Sequence, residues 1–215
     1  MNDGRIPATA GTMEINSHLN AAGLEPLEPE RAAKFDAYLE LILRWNARMN
    51  LTAVRDAAGI MRRHFVESIA CARLLPAGIR SLLDFGSGAG FPGIPIALCR
   101  SEISVTLAES QARKAAFLEE AVRTLELKSR VWPKRGEEIG QTFGCVVLRA
   151  VDCMERAVAN AAGLVEPEGR LGILTTHGDL PRMQLSAGAS FQWSEPLDLP
   201  GSEQRILSIA VRGAS

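Results

Sequence analysis

The stretch Leu82-Leu83-Asp84-Phe85-Gly86-Ser87-Gly88-Ala89-Gly90-Phe91-Pro92-Gly93 constrains this chain more than any other. A short apolar run ends in alternating glycines and then opens into a helix-forming segment. Glycine permits the tight turn and lets a ligand approach the backbone closely. The spacing predicts a strand–loop–helix unit, and such units repeat downstream. Candidate strands fall at 81–85, 104–109, 129–134, 145–149 and 170–175, with helices near 92–100, 111–127 and 154–165. Alternation of this kind implies parallel strands joined by helical crossovers. Two last candidate strands, 191–197 and 204–211, are separated by a short link around Pro200-Gly201 that permits only an antiparallel pair. The expected fold class is α/β and Rossmann-like: a seven-stranded, mostly parallel sheet with an antiparallel last strand.

Ahead of the sheet, Phe35, Tyr38, Leu39, Ile42, Trp45 and Met49 recur at three and four residues and predict a helix over 29–49. A second helix is expected over 59–75, stopped by Pro76-Ala77-Gly78. The expected organisation is a poorly ordered stretch over 1–25, a helical extension over 26–78 and a Rossmann-like domain over 79–215. Apolar residues make up 47% of the chain, enough for a sizeable core, and the formal net charge of −1 names no partner. Cys71, Cys99, Cys145 and Cys153 form no paired spacing, so small buried thiols are expected rather than a metal site. No apolar run is long enough to cross a membrane, and the N-terminus lacks a signal-peptide pattern. A cytoplasmic protein is expected, and Asn50-Leu51-Thr52 is then a chance sequon.

Two chemistries fit the glycine loop. Gly88, Gly90 and Gly93 satisfy the GxGxxG dinucleotide fingerprint. Asp84, Gly86, Gly88 and Gly90 satisfy the DxGxGxG loop of S-adenosyl-L-methionine enzymes. Charge favours the second. A pyrophosphate wants unopposed backbone N–H groups at a helix N-terminus, where a carboxylate is unwelcome. Adenosylmethionine carries an ammonium and a sulfonium, which a carboxylate suits. Glu109 lies at the end of the second strand, about 20 residues past the glycines, where a carboxylate grips ribose hydroxyls. Its plainer role is to stabilise the dipole of the following helix.

With these residues placed, the chain resembles the bacterial small-subunit ribosomal RNA guanine-N7 methyltransferases, the glucose-inhibited division protein B family. The match is carried by WNARMNLTAVRD at 45–56, RHFVES at 63–68, DFGSGAGFPGIP at 84–95 and LRAV at 148–151. It covers about 39–211. The resemblance implies a class I methyltransferase fold and S-adenosyl-L-methionine as cofactor. Gly86 and Phe91 would border the donor, Gly136 and Glu137 would flank its adenine, and Arg149 would sit beside the methyl group. Apart from the resemblance, Arg149 reads equally well as an exposed strand-end charge. Three positions depart from the family pattern. Glu67 and Glu109 stand where aspartate is usual, and His177 stands where a lysine is usual. Guanine N7 has a free lone pair and no proton to lose, so no catalytic base is expected and no catalytic residue is assigned.

The implied partner is 16S ribosomal RNA or the small ribosomal subunit, bound by a monomer without metal or membrane. Phosphates require positive charge. Arg44, Arg48, Arg55, Arg62, Arg63 and Arg73 cluster before the sheet, and Arg113, Lys114, Lys128, Arg130, Lys134 and Arg135 form a second group. Arg48, Arg55, Arg62, Arg63, His64 and His177 are the candidate substrate contacts. His64 also falls on an apolar stripe with Met61 and Phe65, where a satisfied core histidine is the simpler reading. Trp45 reads as core packing. The alternatives are a methyltransferase for a small molecule or protein, and a dinucleotide-binding domain.

Overall fold

Ser81–Phe85 forms β1, which carries Leu82, Leu83 and Phe85 and is buried along nearly its whole length. It lies at the centre of the sheet because both its edges are paired. On one side it runs parallel to β2 (Ser104–Ala108), and β2 pairs with β3 (Arg130–Trp132). On the other it runs parallel to β4 (Phe143–Arg149), which pairs with β5 (Val165–Thr176). Three further strands follow: β6 (Phe191–Trp193), β7 (Leu197–Asp198) and β8 (Arg205–Arg212). The order β3-β2-β1-β4-β5-β8-β6 reverses direction between β1 and β4. That is the switch point at which open α/β sheets bind ligands, beyond the C-terminal ends of the strands. The structure is a computed structural model, and it describes residues 11–201 and 204–214.

The sheet has one strand more than the seven expected. The segment read as one strand over 191–197 breaks at Ser194-Glu195-Pro196, because proline has no N–H for a ladder. Its two pieces, β6 and β7, both pair antiparallel to β8. β8 itself runs antiparallel to β5 as expected. β5 begins five residues earlier than the expected strand. Glu166-Pro167-Glu168-Gly169 has the composition of a turn, yet the chain stays in the strand, with Glu168 at φ 59° and a register shift against β4.

The reading of 1–25 as poorly ordered is corrected where the structure describes it; residues 1–10 lie outside the described residues. Gly11–Ala21 forms α1, with Ile15 and Leu19 buried four residues apart. Asn16 fastens the following turn: its Nδ2 donates to the Leu27 carbonyl and its Oδ1 accepts from the Leu27 amide. Next come α2 (Pro29–Asn46), α3 (Ala57–Ile60) and α4 (Val66–Leu74). A π-helical turn over Met61–Phe65 joins the last two into one rod. Asp56 caps that rod by accepting from the Gly59 amide. The crossover helices are α5 (Gly93–Cys99), α6 (Ala112–Thr124) and α7 (Met154–Ala162), and α8 (Leu180–Ala187), which the sequence reading did not include, follows β5.

The helices before β1 share a core with the sheet. Phe35 and Tyr38 of α2 pack against Phe65, and Tyr38 also meets Phe91 and Phe117. Trp45 packs edge-on against Phe117 and donates to Glu120, as core packing requires. Cys71 and Cys145 are buried, while Cys153 is exposed. Among the described residues no cluster could hold a metal ion, and no helix is long and apolar enough to cross a membrane.

Candidate functional site

The loop after β1 folds back on itself. The Gly86 and Ser87 amides both donate to the Ala108 carbonyl, and the Gly90 and Phe91 amides donate to the Ser87 carbonyl. Gly86, Gly88 and Gly90 all have positive φ. At Gly90 the conformation and the packing both require glycine, since a Cβ would lie 2.5 Å from Ile94 Cδ1 and 2.7 Å from Tyr38 Oη. Two acidic side chains take two further amides of this segment. Glu109 Oε2 accepts from the Gly88 amide at 2.9 Å, and Asp84 Oδ2 accepts from the Gly93 amide, the first of α5, at 3.0 Å.

Above this loop lies a cavity of about 590 Å³ at the C-terminal ends of β1, β2 and β4. Of the expected cofactor residues, Gly86, Gly88, Phe91, Glu109, Gly136, Glu137 and Arg149 line it. Asp84 and Gly90 do not. Asp84, expected among the cofactor residues, is fully buried beneath the loop and acts on it through the Gly93 amide. Gly136 opens the turn after β3 and must be small, because a Cβ there would lie 2.5 Å from the Phe85 ring.

The candidate substrate residues divide. Arg63 and His64 line the cavity, and Arg55 lines an adjoining cleft with Asn50, Thr52 and Lys114. Arg48 and Arg62 are exposed and line neither. His177 also lies outside both, exposed and 3.2 Å from Asp198. The structure brings in Thr52, Arg156, Asn160 and Arg205, which the sequence reading did not single out. Arg205 opens β8 opposite Thr176, so only the antiparallel pairing with β5 carries it to this end of the sheet.

A buried polar group closes one side. Arg149 Nη2 lies 3.1 Å from Glu67 Oε2 and donates to the Arg63 carbonyl and to His64 Nδ1, at 3.0 and 2.9 Å. The Arg149 and Glu67 side chains are 8% and 5% exposed, so Arg149 is not the exposed charge it resembled, and Glu67 does not extend outward. Arg149 Nη1 has no partner among the described residues. His64 stacks on Phe91, with ring centroids 4.8 Å apart, and its Nε2 lies 2.9 Å from Thr52 Oγ1. Burial, with the charges of Arg149 and Arg63 adding to it, pushes the imidazole down to about 3, so the ring is neutral. Burial also raises the Glu67 carboxyl, against the pull of Arg149. Beyond β4, Ala150 and Cys153 sit at φ 50° and 53°, and Ala150 to Asp152 line the cavity. Left-handed non-glycine residues are strained and gather at functional sites.

The profile of the rRNA small subunit methyltransferase G family matches residues 31–193. A ribosomal RNA small subunit methyltransferase G from Xanthomonas campestris pv. campestris (strain B100) is 35% identical over 210 residues, covering 94% of this chain and 95% of its own. One from Chloroflexus aggregans is 35% identical over 202 residues, covering 87% and 84%. Among solved structures, the pyocyanin biosynthetic protein PhzM superposes with a TM-score of 0.62 at 14% identity, covering 83% of this chain and 62% of its own. An O-methyltransferase family protein from Burkholderia thailandensis gives 0.55 at 14% identity, covering 87% and 72%. At such identities these two likenesses speak to the fold alone.

Proposed function

Because the chain belongs to the rRNA small subunit methyltransferase G family, we propose that it transfers a methyl group from S-adenosyl-L-methionine to N7 of a guanine in 16S ribosomal RNA, in the cytoplasm. The observation that carries the donor assignment is the engagement of the loop amides. The Glu109 carboxylate holds the Gly88 N–H at the cavity and the buried Asp84 side chain holds the Gly93 N–H, so the loop presents a negative charge and leaves these two amides engaged where a dinucleotide needs free donors. A cationic cofactor fits that cradle and a pyrophosphate does not.

When bound, the donor supplies a methyl group on a positively charged sulfur, open to direct displacement. Glu109 would hold the ribose, for its carboxylate lines the cavity at the end of β2. Gly136 and Glu137 would flank the adenine, and Gly86 and Phe91 would border the donor. Guanine N7 offers a lone pair without a proton, so the chain needs no general base. Its contribution is positioning, with Arg149 and the neutral His64 forming a rigid wall. Arg63, Arg156, Arg205, Lys114, Lys134 and Arg135 all line the cavity and supply positive charge for RNA phosphates. This basic lining favours RNA over a small-molecule acceptor.

The test is methyl transfer from labelled donor to small ribosomal subunits and to naked 16S RNA, with the modified base mapped. Label on a guanine N7 supports the reading; label elsewhere, or tight NAD binding without donor binding, overturns it.

A further inference from the structure

Adenine and guanine both present N7 as an acceptor, so a site that merely aligns this lone pair does not tell them apart. The neighbouring group at C6 does: guanine carries an acceptor oxygen there and adenine an amino donor. Thr52 meets the requirement for reading it. It lies on the wall that the donor cavity shares with the adjoining cleft. Its Oγ1 is 2.9 Å from His64 Nε2 and 3.2 Å from the Val54 amide nitrogen.

The direction of the first bond follows from the other side of the ring. Arg149 Nη2 lies 2.9 Å from His64 Nδ1. A guanidinium has donors only, so Nδ1 accepts, and the proton of the neutral ring resides on Nε2. Thr52 Oγ1 therefore accepts from His64 Nε2–H and from the Val54 N–H. A hydroxyl oxygen has two lone pairs, and both are now filled. Its hydrogen meets no acceptor among the described residues. Arg149 Nη1, on the other flank of His64, is also a buried donor without a partner.

Resting on the methyl-transfer reading above, we propose that Thr52 is the base-discriminating residue: its hydroxyl, committed as a donor by His64, receives the C6 oxygen of the target guanine. His64 is the positioning residue that fixes the direction of the Thr52 hydroxyl. Val54 supplies only its amide.

The test compares Thr52→Val, Thr52→Ser, His64→Leu and His64→Gln on small subunits rebuilt with guanine or with 2-aminopurine, which lacks the C6 oxygen, at the modified position. Thr52→Val is expected to lower kcat/KM on guanine by on the order of tenfold, with donor affinity by calorimetry unchanged. On 2-aminopurine the wild type and Thr52→Val should be equal. Thr52→Ser should keep most of the rate. His64→Leu should resemble Thr52→Val, while His64→Gln, whose amide accepts at one end and donates at the other, should retain more. Full activity of Thr52→Val on guanine, or an equal loss on both bases, overturns the proposal. A wild-type enzyme that leaves guanine N7 unmodified would instead overturn the functional reading, and this proposal with it.

Discussion

Glu109 and Gly88 are joined across the floor of the cavity, the carboxylate Oε2 lying 2.9 Å from the glycine amide while Oε1 takes the Gln111 amide at 2.7 Å. One side chain thus ties the loop after β1 to the start of α6. Both roles considered for Glu109 from sequence are compatible with this geometry. It steadies the residue that caps α6, and it presents negative charge to the cavity.

Glu109→Ala is therefore expected to release the loop and weaken donor binding. Loss of charge-assisted hydrogen bonds, each about 1.5–3 kcal/mol, corresponds to roughly 10- to 100-fold in affinity. Calorimetric titration with S-adenosyl-L-methionine checks this, and an unchanged affinity would refute a role for Glu109 in holding the donor.

Asp84 gives a pH prediction. Burial pushes its carboxyl up to about 7, although the Gly93 amide pulls the other way. In the unfolded chain an aspartate titrates near 3.9. Between these values the folded chain keeps a proton that the unfolded chain has lost, so stability falls as pH rises through the window. Asp84→Asn removes this titration. Melting of the donor-free protein should be less pH-dependent between pH 4 and 8, with Tm at pH 8 higher by about 2–4 °C. Parallel curves for variant and wild type would contradict the assignment.

Much of this was legible in the sequence, for a physical reason. Both ends of β1 are legible because a buried central strand is rich in apolar residues, here Leu82, Leu83 and Phe85, and is closed by Gly86. The cofactor loop was legible because its residues are close in sequence. Misreadings arose where composition and tertiary context disagree. Pro167 and Gly169 resemble a turn but lie within β5, in the irregularity between the pairings of Val165 with Phe143 and of Arg170 with Cys145. α1 shows only Ile15 and Leu19 as a stripe, and α8 only Leu180, Met183 and Ala187. Arg205 could not be placed in the cavity without the β5–β8 register. Asp84 was recognised as part of the motif, but its burial beneath the loop was not encoded in the spacing.

Gly90 tests how rigid the loop must be. Gly90→Ala would put a side chain at φ 89° and a Cβ within 2.7 Å of Tyr38 Oη, whose hydroxyl donates to the Ala89 carbonyl. A left-handed alanine alone costs about 1–3 kcal/mol. Displacing Tyr38 would disturb the aromatic cluster joining α2 to the loop. The expected result is a lower urea midpoint and weaker donor binding together. A stability equal to wild type would mean that the loop relaxes without loss.

Glu67 and Arg149 supply the last test. Both side chains are nearly buried, and their Oε2–Nη2 separation is 3.1 Å. Removing one member of such a pair leaves an uncompensated charge, at a cost of about 3–5 kcal/mol. Replacing both by apolar residues of similar size often costs far less. Urea unfolding should therefore show Glu67→Leu strongly destabilised and Glu67→Leu/Arg149→Met closer to wild type. Glu67→Asp, which keeps the charge on a shorter arm, should fall between wild type and Glu67→Leu. Donor affinity follows a different order: the double variant, although more stable than Glu67→Leu, loses the Arg149 wall of the cavity and should not regain binding. Additive stability losses in the double variant would show that the two charges do not compensate each other, and the polar wall would then need another source of rigidity.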